Sequence, residues 1–320
     1  MRPAPQRVAI GLGLADYPFA TASEFWRWVD LCEHGGIDSL WQTDRIVSAT
    51  PILESIATMA ALAGRTRRLK FGVNVISLAM RDPVLLAKQI ATIDVLSEGR
   101  LLPAYGIGSP RAPEWQALNL NTTTRGRVTD EALEILALLF TGEPVTYEGR
   151  HFQLQAAQIA PKPVQSNLPL WIGGNSEAAI RRTAKYGTGW QAGAETPAQL
   201  APLIQAIREA SAEAGRPIDE DHYGAAFPFR FGSPNDPSLA RLKAAYAKRT
   251  GQNPEDHFAI GDATTILARL AAYIEAGAQK FILRPLATGG EETLHQTRLL
   301  IEQVLPEATR RWPKSKSPSP

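Results

Sequence analysis

Residues 170–190 read LWIGGNSEAAIRRTAKYGTGW, and they contain one complete strand–turn–helix unit. The apolar run 170–172 is typical of a buried strand, and it stops at two glycines. Asn175 and Ser176 follow, and the pattern over 176–187 predicts a helix. Such a helix start is either a simple N-cap or an anion-binding site, because the N–H groups of its first turn have no partners within the helix.

The same alternation recurs along the chain, and the strand-like runs are almost continuously apolar, which is typical of buried parallel strands. We identify eight such runs, at 7–14, 39–44, 69–76, 100–108, 168–174, 189–193, 223–232 and 280–285. The helical patterns between them lie at 21–36, 52–64, 82–99, 125–142, 176–187, 196–215, 262–278 and 291–305. This arrangement predicts an α/β fold of the (β/α)8 barrel type, with a doubly wound sheet as the alternative. We expect one domain over 1–311 and a disordered tail over 312–320.

Three segments do not fit the repeat. Residues 109–123 are predicted to form a long loop after the fourth strand. The alternating pattern over 145–155 predicts a β-hairpin that turns at Glu148 and Gly149. Residues 233–258 are predicted to lengthen the loop after the seventh strand.

The composition argues against several functional classes. Lys and Arg number 34 against 32 Asp and Glu, so no strong positive charge indicates a nucleic-acid partner. The single cysteine, Cys32, lies on the apolar stripe of the first helix and is predicted to be buried in the core. The five histidines show no metal-ligand spacing. Without an apolar N-terminal segment or a membrane-length apolar run, we expect a cytoplasmic protein.

Polar residues at the carboxyl ends of the strands are the first candidates for function, because the active site of such a barrel lies there. The chain has no complete GxGxxG fingerprint, no P-loop and no GxSxG elbow to accompany them. The candidates at the strand ends and in the loops that follow them are Asp44, Arg45, Asn74, Ser109, Arg111, Asn175, Ser176, Arg230 and Arg284.

Four long segments, at 35–45, 82–110, 125–154 and 161–190, together resemble the bacterial luciferase-like flavin-dependent oxidoreductases. The resemblance covers nearly the whole chain in order, and it implies a (β/α)8 barrel with a hairpin insertion after the fourth helix. The segments are GGIDSLWQTDR (35–45), DPVLLAKQIATIDVLSEGRLLPAYGIGSP (82–110), RGRVTDEALEILALLFTGEPVTYEGRHFQL (125–154) and PKPVQSNLPLWIGGNSEAAIRRTAKYGTGW (161–190).

The resemblance implies a cofactor, either reduced FMN or the deazaflavin coenzyme F420, with its phosphate at the start of the helix after the fifth strand. Asp44 matches the family's acidic residue facing the cofactor ring. Asn74–Val75 matches the place where deazaflavin members have a non-proline cis peptide. The matching cofactor contacts are Asp44, Asn74, Val75, Ser109, Gly174, Asn175 and Ser176.

Two positions depart from the family pattern and leave the reaction open. Arg45 stands where many members have His, and Arg111 stands where some deazaflavin members have Glu. With Asp44, these two arginines are the candidate catalytic residues. The hypotheses are hydride transfer with F420, oxygen activation with reduced FMN, and cofactor binding without turnover.

The substrate and partners follow from the same resemblance. We expect a small-molecule substrate between the 109–123 and 233–258 loops, oriented by Arg230, His257 and Arg284, for which structural ion pairing is an equal alternative. The absence of a nicotinamide fingerprint implies an external source of reducing equivalents, such as a separate flavin or deazaflavin reductase. A homodimer is common in the family and is expected here.

Overall fold

A computed structural model describes residues 8–313 and contains a large parallel sheet and a separate two-stranded hairpin. Residues 314–320 of the predicted tail lie outside the described residues, whereas Trp312 packs against the core. The strands are β1 Ala9–Leu14, β2 Ser39–Gln42, β3 Lys70–Ser77, β4 Leu101–Gly106, β5 Val145–Glu148, β6 Gln153–Ala157, β7 Trp171–Gly173, β8 Gly189–Gln191, β9 Tyr223–Phe231, β10 Ala259–Gly261 and β11 Lys280–Pro285.

The large sheet closes on itself. β1 pairs in parallel with both β11 and β2, and β9 pairs in parallel with both β8 and β11. This closure confirms the predicted (β/α)8 barrel and excludes the doubly wound alternative, in which the sheet has two free edges. The barrel consists of β1, β2, β3, β4, β7, β8, β9 and β11.

Helices cover the outside of the barrel, and side chains that cap their N-termini begin several of them. Thr21 accepts a hydrogen bond from Glu24 N at the start of α1, and Asp82 accepts one from Leu85 N at the start of α3. The helices are α1 Ala22–His34, α2 Ser55–Arg65, α3 Pro83–Leu96, α4 Glu114–Ala117, α5 Arg125–Leu139, α6 Glu177–Tyr186, α7 Pro197–Glu213, α8 Ala240–Thr250, α9 Pro254–His257, α10 Ala263–Glu275, α11 Gly290–Leu299 and α12 Leu305–Arg311.

The barrel interior is filled by a small cluster that includes two tryptophans, Trp41 and Trp171. Neighbouring strands have glycines where these rings lie. A Cβ on Gly189 would be 2.4 Å from the ring of Trp171, and a Cβ on Gly72 would be 2.8 Å from the ring of Trp41. Both distances are too short for carbon atoms, so the glycines provide the space that the indole rings occupy.

The structure corrects the prediction for residues 233–258. This segment is not simply a loop, since it contains α8 and α9, and the unpredicted strand β10 follows it. α8 has the composition RLKAAYAKR, which favours a helix, and it buries Tyr246. Leu239, Tyr246, Phe258 and Ile260 form a separate apolar cluster that holds the segment together.

Three other segments were predicted with partial success. The hairpin is present, with β5 and β6 antiparallel and Gly149 N bonded to Phe152 O. The 109–123 loop contains the single-turn helix α4. The final helix extends past the predicted end at 305, because a π-helical segment over Leu300–Val304 joins α11 to α12.

Cys32 is fully buried, as predicted.

Candidate active site

A cavity of about 530 Å³ opens at the carboxyl ends of the barrel strands. Its wall is formed by the ends of β1, β3, β7, β8, β9 and β11 and by residues of α8 and α9. This volume lies within the range of small-molecule and cofactor sites. Of the residues predicted to form the site, the cavity brings together Asn74, Val75, Gly174, His257 and Arg284.

The floor of the cavity is apolar and is built around Val75. The Asn74–Val75 peptide is cis, as the resemblance implied, and the register between β3 and β4 shifts between Val73 and Ile76. A Cβ on Gly106 would lie 2.6 Å from a methyl of Val75, and a Cβ on Gly173 would lie 2.8 Å from the other methyl. Glycines on both sides therefore allow this side chain to lie across the barrel mouth.

The start of α6 forms another part of the wall through Gly174. Gly174 has a φ of 113°, which favours glycine, and its carbonyl accepts a hydrogen bond from Trp190 Nε1. The N-cap is Ser176, which accepts from Ala179 N at 3.3 Å. Asn175 donates to the buried carboxylate of Glu195 at 2.8 Å. Asn175 and Ser176 thus lie beside the cavity and do not line it.

Asp44 does not line the cavity either, because its carboxylate is engaged within the protein. Oδ1 accepts from Ser55 Oγ at 2.7 Å and from Arg81 Nη2 at 2.5 Å, and Oδ2 accepts from Ser77 N at 2.9 Å. The Asp44 side chain is only 3% exposed. Through the hydrogen bond from Ser77 N, Asp44 connects the end of β2 to the end of β3, two residues after the cis peptide.

Arg45 and Arg111 lie in the loops after β2 and β4, away from the cavity wall. Arg45 pairs with Glu114 at 3.6 Å. Arg111 is exposed, and its backbone N–H donates to Ser109 Oγ at 3.3 Å. The buried carboxylate of Glu114 was not identified from the sequence, and the available signal was its position within the 109–123 loop that follows β4.

Arg230 lies in an ion-pair network instead of on the cavity wall. It pairs with Asp236 at 3.1 Å and with Glu292, and Nη1 donates to the carbonyl of Leu286 at 2.7 Å. Its guanidinium thus has protein partners for its hydrogen bonds and its charge. Of the two alternatives for this residue, the geometry supports structural ion pairing.

His257 is buried on the cavity wall and is held as a neutral ring. Its Nδ1 lies 3.0 Å from the Tyr273 hydroxyl, which itself donates to the carbonyl of Glu195. The hydroxyl oxygen therefore accepts from Nδ1–H, and Nε2 keeps its lone pair. Burial lowers the pKa of His257 to about 3, with further contributions from the positive charges of Arg284, Arg269 and Arg249.

No group of three or more His, Cys, Asp or Glu that could hold a metal ion occurs among residues 8–313. Over the same part of the chain, no helix combines the length and the apolar character needed to cross a bilayer.

Comparison with known sequences identifies relatives over most of the chain. The sequence profile described as luciferase-like monooxygenase matches residues 4–257. An uncharacterized protein of Mycobacterium tuberculosis is 32% identical over 167 residues, which are 52% of this chain and 57% of that protein. The chain thus spans little more than half the length of this curated relative. The F420-dependent glucose-6-phosphate dehydrogenase of Microbacterium testaceum is 25% identical over 88% of this chain and 92% of its own.

Solved structures share the architecture at lower sequence identity. An F420-dependent secondary alcohol dehydrogenase superposes with a TM-score of 0.79 at 19% identity, covering 93% of this chain and 98% of its own. The oxygenating constituent of 3,6-diketocamphane monooxygenase from Pseudomonas putida, in complex with FMN, superposes with a TM-score of 0.76 at 18% identity, covering 94% and 98%. At these identities the likeness concerns the fold.

Proposed function

The chain belongs to the luciferase-like monooxygenase family, whose members are oxidoreductases, and from this premise we propose that it binds coenzyme F420 and transfers a hydride between F420 and a small organic substrate. The observation that carries the proposal is one cavity that connects the Asn74–Val75 floor to Gly174 at the start of α6. The relative that matches along most of both chains is named as F420-dependent, which supports the choice of cofactor.

The residues present fit a flavin-like cofactor. The apolar surface of Val75 suits one face of a planar ring, and glycines beside it leave no side chain to obstruct the ring. The N–H groups of Glu177 and Ala178, in the first turn of α6, have no acceptor among the described residues and suit a phosphate. Gly174, Asn175 and Ser176 would hold that phosphate, and Ser109 would contact the cofactor from the loop after β4.

The chain's own groups position the reactants. When bound, F420 supplies a ring carbon that accepts or donates a hydride. Asp44 holds Ser77 and thereby the floor of the cavity, so we assign it a positioning role. Nε2 of His257 is a neutral acceptor on the wall and is suited to a substrate hydroxyl. Arg45 and Arg111 remain candidates only as residues that approach when substrate binds.

A second candidate is a monooxygenase that uses reduced FMN and oxygen. The observation that favours it is the covering of the cavity by α8, which contributes Leu242, Ala245 and Tyr246 to the wall and would limit water at a reduced flavin. Either reaction needs reducing equivalents from elsewhere, such as a separate flavin or deazaflavin reductase. Binding without turnover is the third hypothesis.

Fluorescence titration with F420 and with FMN, each oxidised and reduced, tests the proposal. Preferential binding of F420, followed by hydride transfer to an alcohol, aldehyde or enone panel, supports it. Preference for reduced FMN with substrate-dependent oxygen consumption supports the second candidate. No binding of any form refutes both, and binding without turnover across the panel supports the third hypothesis.

Two helix-cap variants sharpen the titration. Ser176→Ala and Thr21→Ala each remove a hydroxyl that caps a helix, and each should cost about 1 kcal/mol of stability. Only Ser176 lies at the proposed phosphate site, so only Ser176→Ala should weaken cofactor binding, by about tenfold. Equal affinities of the two variants would remove Ser176 from the phosphate site.

We also propose that the protein forms a homodimer. The surface of α3 carries the exposed side chains of Leu85 and Leu96, which are 60% and 62% exposed, and apolar side chains of this size are candidates for a subunit interface. Light scattering coupled to size-exclusion chromatography gives the mass directly. A mass of one chain at micromolar concentration would refute the proposal.

A further inference from the structure

The cavity wall has more positively charged residues than negatively charged ones. Two arginines, Arg249 and Arg284, line the cavity, and Asp16 is the one acidic residue among the described residues that line it. No ion pair joins Asp16 to either arginine within residues 8–313. Two of these three charged residues are positive, and Asp16 is exposed and pairs with neither of them, so the cavity wall carries an excess of positive charge.

Arg284 occupies an inward-facing position near the end of β11. It comes two residues after Ile282, which belongs to the barrel interior, and side chains two apart on a strand share a face. The guanidinium finds no hydrogen-bond acceptor or acidic partner in the described part of the chain. This differs from the partly buried Arg100, which donates to four carbonyls and to Thr66 Oγ1.

Arg249 approaches the same space from α8. Its guanidinium lies 5.7 Å from the centre of the Tyr246 ring, and it has no acidic partner among residues 8–313. Arg249 and Arg284 both line the same cavity, so their guanidinium groups share one space. Burial lowers the pKa of Arg284, and the positive charge of Arg249 lowers it further. Like charges facing one cavity repel each other, and an anion placed between them removes that cost.

The position of Arg284 separates it from the proposed cofactor contacts. Around the barrel, β11 is three strands from β3, which has the Asn74–Val75 floor, and three strands from β7, which ends at Gly173, just before Gly174. A cofactor that extends from β3 to the start of α6 leaves the β11 side of the cavity for a second molecule. A substrate is the second molecule that the proposed reaction requires.

We propose that Arg249 and Arg284 bind an oxyanion of the substrate, a carboxylate, phosphate or sulfonate, so that the enzyme acts on small organic anions. Guanidinium groups suit this role, because their planar donors match the geometry of such oxyanions. His257, neutral beside the two arginines, orients a hydroxyl of the same molecule without adding charge. The identity of the reaction rests on the proposed function, but the anion site itself does not.

Isothermal titration calorimetry of the full chain with inorganic phosphate tests the anion site without any cofactor. Arg284→Gln and Arg249→Gln should each weaken phosphate binding by about tenfold or more. Arg241→Gln is the matched control, because Arg241 is exposed on α8 and does not line the cavity. It should bind phosphate as the wild type does. Circular dichroism checks folding, and Arg249→Gln, at an exposed position, keeps the test valid if Arg284→Gln does not fold.

Three results would overturn the inference. The first is no phosphate binding by the wild type. The second is equal phosphate affinity in the wild type, Arg249→Gln and Arg284→Gln. The third is phosphate bound only at the start of α6, which Ser176→Ala would weaken and the arginine variants would not. The proposed function could still hold in all three cases, because cofactor binding is measured separately.

A second arm separates substrate from cofactor as the source of the anion. F420 has a phosphate and an acidic tail, whereas the deazaflavin nucleoside has neither. If the arginines serve the substrate, Arg249→Gln and Arg284→Gln bind F420 and the nucleoside with wild-type affinity. Weaker binding of F420 with unchanged binding of the nucleoside would assign the arginines to the cofactor and overturn the inference.

Discussion

Nδ1 of His257 lies 3.0 Å from the hydroxyl oxygen of Tyr273, and this contact decides which nitrogen of the imidazole keeps a proton. The hydroxyl proton is already used by the carbonyl of Glu195 at 2.8 Å. His257 must therefore be the donor, and its Nε2 is left as an acceptor on the wall of the cavity. A residue of α10, remote from the strand ends, thus sets the chemistry available at the site.

Replacing Tyr273 by Phe should allow the neutral ring of His257 to adopt both tautomers. The change removes the acceptor of Nδ1–H and the donor to Glu195, so we expect the free energy of unfolding to fall by about 1–3 kcal/mol. ¹⁵N NMR of labelled histidine should show Nδ1–H in the wild type and a mixture of tautomers in the variant. Tyr105→Phe is the control, because that buried hydroxyl has no hydrogen-bond partner among residues 8–313 and its loss should cost little. An Nε2–H tautomer in the wild type would contradict the assignment.

Stability should depend on the charge state of His257. Its pKa falls from 6.5 to about 3 on folding, so the unfolded chain binds the proton more tightly. This difference does not affect stability above pH 6.5, and it lowers stability increasingly as the pH falls toward about 3, by at most ~1.4 kcal/mol per pH unit. Urea unfolding of the wild type and of His257→Gln across this range measures the effect. The wild type should lose stability relative to the variant toward acid pH; parallel profiles would show that His257 does not titrate in this way.

Asp44→Asn should act mainly on stability, because the carboxylate pairs with the largely buried Arg81. Arg81 keeps a second, more exposed partner in Glu54 at 3.2 Å, so its charge is not left alone. The loss of its buried partner still removes a charge-assisted hydrogen bond, and we expect the free energy of unfolding to fall by ~2 kcal/mol. Asp30→Asn breaks a pair with Arg65 at the surface and should cost under about 1 kcal/mol. Chemical denaturation compares the two variants. If Asp44→Asn keeps its stability and alters only the absorption spectrum of bound cofactor, the carboxylate faces the ring and not Arg81.

Two glycine variants test the packing of the barrel interior. Gly189→Ala places a Cβ 2.4 Å from the Trp171 ring, and overpacking of this kind should cost about 1–3 kcal/mol. Gly64→Ala lies in α2, where no atom of a described neighbour lies within 4 Å of the new Cβ, and it should stabilise the protein by about 0.5–1 kcal/mol. Thermal unfolding should therefore shift in opposite directions. A destabilised Gly64→Ala would show that helix propensity does not decide stability at that position.

The helix at 240–250 shows why the local sequence pattern was not sufficient to predict the structure of residues 233–258. The sequence pattern predicts only a longer loop over 233–258, and the Ser, Pro, Asn and Asp residues at 233–238 are typical of irregular structure. The helix's one large buried residue, Tyr246, packs on Phe258 and stacks on His257, which lie outside this helix, at the end of α9 and directly after it. The helix is stabilised by these contacts, and Arg249 reaches the cavity only because the helix forms.

The sequence by itself determined the barrel, the order of its strands, the hairpin and the place where the site opens. These properties depend on the repeating period of apolar residues and on capping residues such as Asp82, which are local. The tertiary structure alone decided which polar side chains are available in the cavity. Arg230 and Arg284 both follow apolar strand residues, yet the first meets Asp236 and Glu292 and the second meets no acid among residues 8–313. Whether a charge is free depends on partners brought together by folding, and a single sequence does not contain those distances.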